Sequence, residues 1–138
     1  MRRPPIDERL KAIPLFQRLT DRQLACVGTL ATLLDIGAGR ELIREGQVGR
    51  EFFLVVEGEA EVTREGEHLA TLGPGTFFGE TALLLDQPRN ATVAAKTDMV
   101  VEVIERRDFK GLLEEYPDLY APLLAATAQQ LGDEPGIT

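Results

Sequence analysis

Two side chains in the stretch from Phe77 to Thr92, FFGETALLLDQPRNAT, have the types and spacing for recognition chemistry. They are one acid, Glu80, and one guanidinium, Arg89, in a segment built mostly of small and apolar residues. A charge drawn out of water needs a partner. The apolar run from Glu80 to Leu85 predicts one or two helical turns, and Gly79 in front of it lets the backbone approach closely. The first amides of such a turn point outward with no internal acceptor, so they suit a phosphate or carboxylate. Arg89 can close on the same anion with planar, paired donors. Ionised Glu80 only accepts hydrogen bonds, so it faces hydroxyl donors instead. A phosphate joined to ribose hydroxyls meets both demands, whereas the bland alternative is a solvated Glu80–Arg89 ion pair.

The elements that must hold these groups are legible from periodicity. From Glu41 to Glu105 the texture is short apolar or alternating runs punctuated by glycine, the pattern of a sandwich or jelly roll. Glu51 to Glu57 (EFFLVVE) is apolar on both faces and therefore central, and Ala60 to Thr63, His68 to Leu72, Thr92 to Ala95 and Val100 to Ile104 supply further strands. Glu57-Gly58, Glu65-Gly66 and Gly73-Pro74-Gly75 are turn chemistry. Ahead of the strands, Ile6, Leu10 and Ile13 predict a first short helix before Pro14. Thr20 with Gln23 forms a capping box and Leu19 with Leu24 a hydrophobic staple, opening a second helix whose face runs through Leu24, Val27, Ala31 and Leu34 to a stop near Gly37. After the strands, Phe109, Leu112 and Leu113 mark one helix; Tyr116-Pro117 breaks it; Leu119, Leu123, Leu124 and Leu131 mark another, ended by Gly132 and Pro135.

A chain of 138 residues with 43% hydrophobic content supports one domain with a proper core. The formal net charge of -8 disfavours nucleic acid and anionic membrane as partners for the surface as a whole. It also repels an anionic ligand, which sharpens the need for a local cation such as Arg89. A single cysteine, Cys26, rules out an internal disulfide framework and suits a reducing compartment. No run of about 18 apolar residues exists to span a bilayer, and MRRPPIDERL lacks the apolar core of a secretion signal, so a cytoplasmic protein is expected. His68 stands alone, with no second ligand close in sequence, and no nucleophile–base pair, GxxxxGK[ST] or HExxH is found. The expectation is a non-enzymatic chain with no metal and no cofactor.

The segment Phe78, Gly79, Glu80, Ala82, Leu83, Pro88, Arg89, Ala91, Thr92 resembles the phosphate-binding cassette of the cyclic nucleotide-binding domain family. The glycines of REGQVGREFFLVVEGEAEV and the lead-in IPLFQRLTDRQL extend that resemblance over nearly the whole chain. It implies a mainly β fold, a β-roll or jelly-roll with N-terminal helices (1–36), the roll with its cassette (40–105, cassette 77–92) and C-terminal hinge and lid helices (106–132). It also implies a ligand site of Gly79, Glu80, Thr81, Ala82, Arg89 and Asn90, in which Glu80 accepts from the ribose 2'-hydroxyl. By the same resemblance, Arg89 and the amides near Ala82 and Asn90 would hold the cyclic phosphate. Thr127, Gln129 and Gln130 are the polar groups of the last helix, with Thr127 and Gln130 as candidate base contacts. Cyclic AMP is the expected ligand and cyclic GMP the alternative; Asn90 both donates and accepts and serves either purine.

One departure stands out. Many members carry an aspartate behind the cassette arginine, where this chain has Arg50 followed by Glu51. Alternation sends Glu51 to the opposite face, so Arg89 is expected to be braced less firmly. The implied mechanism is a population shift, with Leu83 and Leu84 of the cassette capturing or releasing the C-terminal helices. A chain ending at Thr138 leaves no room for a DNA-binding domain, kinase or pore, so the expected output is a partner protein, self-association or a region outside this chain, with no direct DNA binding. The competing readings are a ligand-free scaffold of the same fold, the sensor fragment of a larger regulator, transporter or enzyme, and, weakest, a cupin-like enzyme, which needs several histidines.

Overall fold

A computed structural model of the chain describes Leu10, Phe16, Gln17, residues 19–121, Leu123 and Ala125. The alternating region folds into strands β2 (Glu41–Ile43), β3 (Glu51–Glu57), β4 (Ala60–Arg64), β5 (Glu67–Leu72), β6 (Phe77–Phe78), β7 (Thr92–Ala95) and β8 (Met99–Glu105), preceded by β1 (Thr32–Ile36). They form two four-stranded antiparallel sheets, ordered β1-β8-β3-β6 and β2-β7-β4-β5. Strand β3 lies between β8 and β6, which is why its residues are apolar on both faces.

Period-two alternation sorts those two faces into two cores. Phe53, Val55, Phe78, Val101 and Val103 point between the sheets and meet Ile43, Val62, Leu72, Val93 and Ala95 of the second sheet. Phe52, Leu54, Phe77 and Ile104 point the other way, onto a layer of helices. That layer holds α1 (Asp21–Leu30), α2 (Glu80–Leu85) and α3 (Arg106–Glu115), followed by a 3-10 turn, Pro117–Leu119. Leu24 and Val27, Leu83, Phe109 and Leu112, and Leu119 and Leu123 fill it.

The capping box forms as expected: Thr20 Oγ1 accepts from the Gln23 N–H at 3.2 Å, and Gln23 Oε1 accepts from the Thr20 N–H at 2.9 Å. The helix it opens is shorter than the apolar spacing predicts. It ends at Leu30, Ala31 turns extended (φ -91°, ψ 142°), and Thr32–Ile36 pairs with β8 from Thr32↔Val103 to Ile36↔Met99. The tract 32–36, assigned above to the N-terminal helices, therefore belongs to the first sheet. Five ladder positions against a buried strand outweigh the helical periodicity of Ala31 and Leu34, and β-branched Thr32 and Ile36 favour the strand. Leu10 is helical and fully buried, while Ile6 and Ile13 of the expected first helix lie outside the described residues, as do Leu124, Leu131, Gly132 and Pro135.

Candidate anion and ribose site

The cassette begins where β6 pairs with β3, and aromatic rings fix that start on both faces. Phe53 and Phe78 stack at 4.8 Å between the sheets; Phe52 lies 5.7 Å from Phe77 and stacks on Phe109 of α3 at 4.7 Å. Gly79 then turns the chain into α2 with φ 94° and ψ -3°, a left-handed conformation that favours glycine. A Cβ there would also lie 2.8 Å from the Glu51 carbonyl oxygen and 3.2 Å from Arg89 Nη1. Conformation and space therefore both require glycine at this turn.

Glu80 opens α2 and is only 1% exposed, and Arg89 is 5% exposed. Thr81 and Ala82 are buried behind Glu80, and Thr81 Oγ1 makes a long 3.4 Å contact to Glu80 Oε1. The solvated-loop alternative for the pair is thus excluded. Burial lowers the pKa of the Arg89 guanidinium, and the charges of Glu51 and Glu80 oppose that shift.

The expected weak bracing of Arg89 is corrected by the main chain. Nη1 donates to the Gly79 carbonyl at 2.5 Å and Nη2 to the Glu51 carbonyl at 2.6 Å. Arg89 N–H donates to the Gln47 carbonyl at 2.8 Å, and its own carbonyl accepts from Gly46 N–H at 2.7 Å. Alternation governs where the Glu51 side chain goes, but a carbonyl is available whatever the side chain. Two N–H groups of the guanidinium are thereby fixed, and a planar fork of five donors has others to offer.

Four residues around the site carried no chemical signal in the sequence. Gly49 is the surface on which Arg89 lies: a Cβ there would come within 2.8 Å of Ala82 Cβ and 3.2 Å of Arg89 Cζ. Only its place in the glycine framework could have pointed to it. Arg64, at the end of β4, donates from Nε to the Asn90 carbonyl at 2.9 Å and so holds the exit of the cassette. Leu69 and Ala70 of β5 are half-buried against the core that contains Phe78 and Ala91.

Of the expected ligand residues, Gly79, Glu80, Thr81, Ala82 and Arg89 are brought together at the β6–α2 junction, with half-buried Asn90 following Arg89. Thr127, Gln129 and Gln130 lie outside the described residues. A cavity of about 490 Å³ reaches Arg89 from the loop side, past Ile43, Arg44, Gln47, Arg50 and Glu51. Another, of about 400 Å³, lies among Asp35, Glu57 and Asp98, whose carboxylates make it unsuited to an anion.

A fold that buries an acid and a guanidinium at one glycine turn can be compared with known proteins. Residues 33–116 match the family model described as "Cyclic nucleotide-binding domain". The chain is 41% identical over 114 residues to a cAMP-dependent protein kinase regulatory subunit of Yarrowia lipolytica, covering 81% of this chain and 30% of that protein. It is 33% identical over 124 residues to a cyclic nucleotide-gated potassium channel of Rhizobium etli, covering 90% of this chain and 35% of the channel. Among solved structures, the regulatory domain of Toxoplasma gondii PKA with cAMP superposes with a TM-score of 0.78 at 26% identity, over 87% of this chain and 48% of that one. This chain spans about a third of the length of these two relatives. On the family match and these identities together, the chain belongs to the cyclic nucleotide-binding domain family.

Proposed function

We propose that this chain is a cyclic AMP-binding sensor module in which Arg89 holds the cyclic phosphate and Glu80 accepts from the ribose 2'-hydroxyl. The observation that carries the reading is the pair of unlike charges, 1% and 5% exposed, at one glycine turn inside the matched segment. Donor-only and acceptor-only groups side by side suit a ligand that joins an anion to a hydroxyl. Gly79, Thr81, Ala82 and Asn90 shape the cradle around them, and Leu69 and Ala70 offer apolar surface to the base. Thr127 and Gln130, outside the described residues, remain the proposed base contacts.

As a sensor the chain needs no catalytic group; its output is a change in how the helical layer packs, passed to a partner protein or to a further segment of a longer polypeptide. Cyclic AMP is preferred because relatives named as cAMP-dependent regulatory subunits match across most of the chain. Among the described residues no helix is long and apolar enough to cross a membrane. Titration calorimetry with cyclic AMP, cyclic GMP and linear AMP tests the reading. Saturable heat with a 3',5'-cyclic nucleotide and at least tenfold weaker binding of linear AMP is expected. No binding of either cyclic nucleotide overturns it and leaves the scaffold reading in its place.

A further inference from the structure

Arg106, the first residue of α3, stands where three parts of the molecule meet. Its backbone N–H donates to the Arg50 carbonyl at 2.7 Å, and Nη1 donates to the Gly49 carbonyl at 3.3 Å. Nη2 contacts Asp86 Oδ1, and Lys110, one turn further along α3, donates to the same oxygen at 2.6 Å. Asp86 is the residue that ends α2: it is left-handed (φ 50°, ψ 46°), with its N–H on the Ala82 carbonyl. Arg106 therefore grips both the peptide on which the Arg89 guanidinium lies and the far end of the helix that Glu80 begins.

The choice of residue at position 86 is informative. Glycine adopts the left-handed cap without strain and aspartate is among the few other residues that enter it, and here the aspartate also sets a carboxylate beside both cations. The Lys110 hydrogen bond holds the Asp86 carboxyl below the usual carboxylate range, with the charges of Lys110 and Arg106 acting in the same direction against some desolvation. It stays ionised at neutral pH and available to both cations.

We propose that Arg106 is a positioning residue for the anion site, and that the Asp86–Arg106–Lys110 cluster makes the first turns of α3 respond when the cassette takes a cyclic nucleotide. This rests on the functional reading above. The coupling is reciprocal: a contact that lets ligand stabilise the docking of α3 lets docked α3 raise ligand affinity by the same factor. Arginine suits the place because a guanidinium fork directs one N–H group at Asp86 and another at the Gly49 carbonyl in a fixed plane, a pre-organised pairing that a lysine ammonium, a point charge with freely rotating donors, does not impose.

The test uses the full chain, cyclic AMP titration and hydrogen exchange across Arg106–Glu115. In the wild type, cyclic AMP changes the exchange of these amides. Asp86→Asn, which removes a partly exposed ionic contact, weakens cyclic AMP by about two- to fivefold and at least halves the α3 response. Arg106→Gln loses the response as well and weakens binding by roughly tenfold, since the Gly49 seat of Arg89 loses its anchor. Arg106→Lys restores the α3 response through Asp86 and the share of affinity coupled to it, but not the share lost with the Gly49 contact, a split that a general loss of stability does not produce. The paired exchange Asp86→Lys with Lys110→Glu recovers the response that Asp86→Lys alone abolishes. An undiminished α3 response in Asp86→Asn, or wild-type affinity in Arg106→Gln, overturns the proposal while the binding reading stands. A wild-type chain that binds no cyclic nucleotide overturns both.

Discussion

A guanidinium clamped between two carbonyl oxygens is in place before any anion arrives, so little ordering entropy opposes recognition. That is the position of Arg89, with Gly79 and Glu51 as its carbonyl partners. Replacing it by alanine should weaken cyclic AMP by about 2 to 5 kcal/mol, since a charged hydrogen-bonded pair in a half-dry site is lost. Calorimetry checks this, and a variant that binds within threefold of wild type removes Arg89 from the site. Glu80→Ala should cost roughly 1.5 to 3 kcal/mol of binding, the scale of a hydrogen bond to a charged group, with a similar loss for 2'-deoxy cyclic AMP on the wild type. Combining mutant and deoxy ligand should then add little, because both delete one contact; fully additive losses would show that Glu80 acts elsewhere. Gly79→Ala combines a left-handed backbone with a 2.8 Å approach to the Glu51 carbonyl, and should destabilise the fold by about 1 to 3 kcal/mol in urea titration. An unchanged midpoint would mean that the turn relaxes without strain.

At the scale of elements, α2 is six residues long and too short to persist without packing. Its one fully buried leucine, Leu83, sits among Phe52, Phe109, Leu112 and Leu119, so the cassette helix and the helices after β8 share one core. Leu84 is half-buried at its edge and Leu85 is exposed, which narrows the apolar contact between cassette and helices to a single side chain with support. Leu83→Ala should destabilise the chain by about 2 to 5 kcal/mol through the cavity it leaves. Because that cavity lies under α3, native-state hydrogen exchange should rise in Phe109–Leu112 more than in β4 or β7. A uniform rise across both sheets would show that α3 has no separate opening.

For the whole molecule, ligand binding and stability are linked. Cyclic AMP at 100 times its dissociation constant should add about 2.7 kcal/mol to the folded state. For a chain of 138 residues that corresponds to a rise of roughly 10 °C in the unfolding midpoint. Thermal scans over a ligand series read it directly, and a shift equal for cyclic and linear AMP would point to nonspecific anion binding. The net charge of -8 works against that nonspecific mode, because screening confines the attraction of a single cation such as Arg89 to about a Debye length.

Local chemistry determined much of this protein from the sequence alone. Thr20 and Gln23 cap a helix because both partners lie within one turn, and glycine before Glu80 marks a turn that only glycine makes without strain. The continuous apolar run in EFFLVVE, apolar on both faces, placed β3 at the centre of a sheet, and the cassette spacing placed Glu80 and Arg89 in one segment. Tertiary structure alone decided what depends on atoms distant in the chain or on groups every residue carries. Thr32–Ile36 became a strand because β8 lay open beside it, against its own helical spacing. Arg89 is braced by the carbonyls of Gly79 and Glu51, and a carbonyl leaves no trace in a residue's identity. Gly49 matters for the side-chain carbons it lets approach, and Arg106 for joining Gly49 to Asp86 across 57 and 20 positions of chain. Contacts of that kind follow from how two sheets and a helical layer close on one another, and no local pattern encodes them.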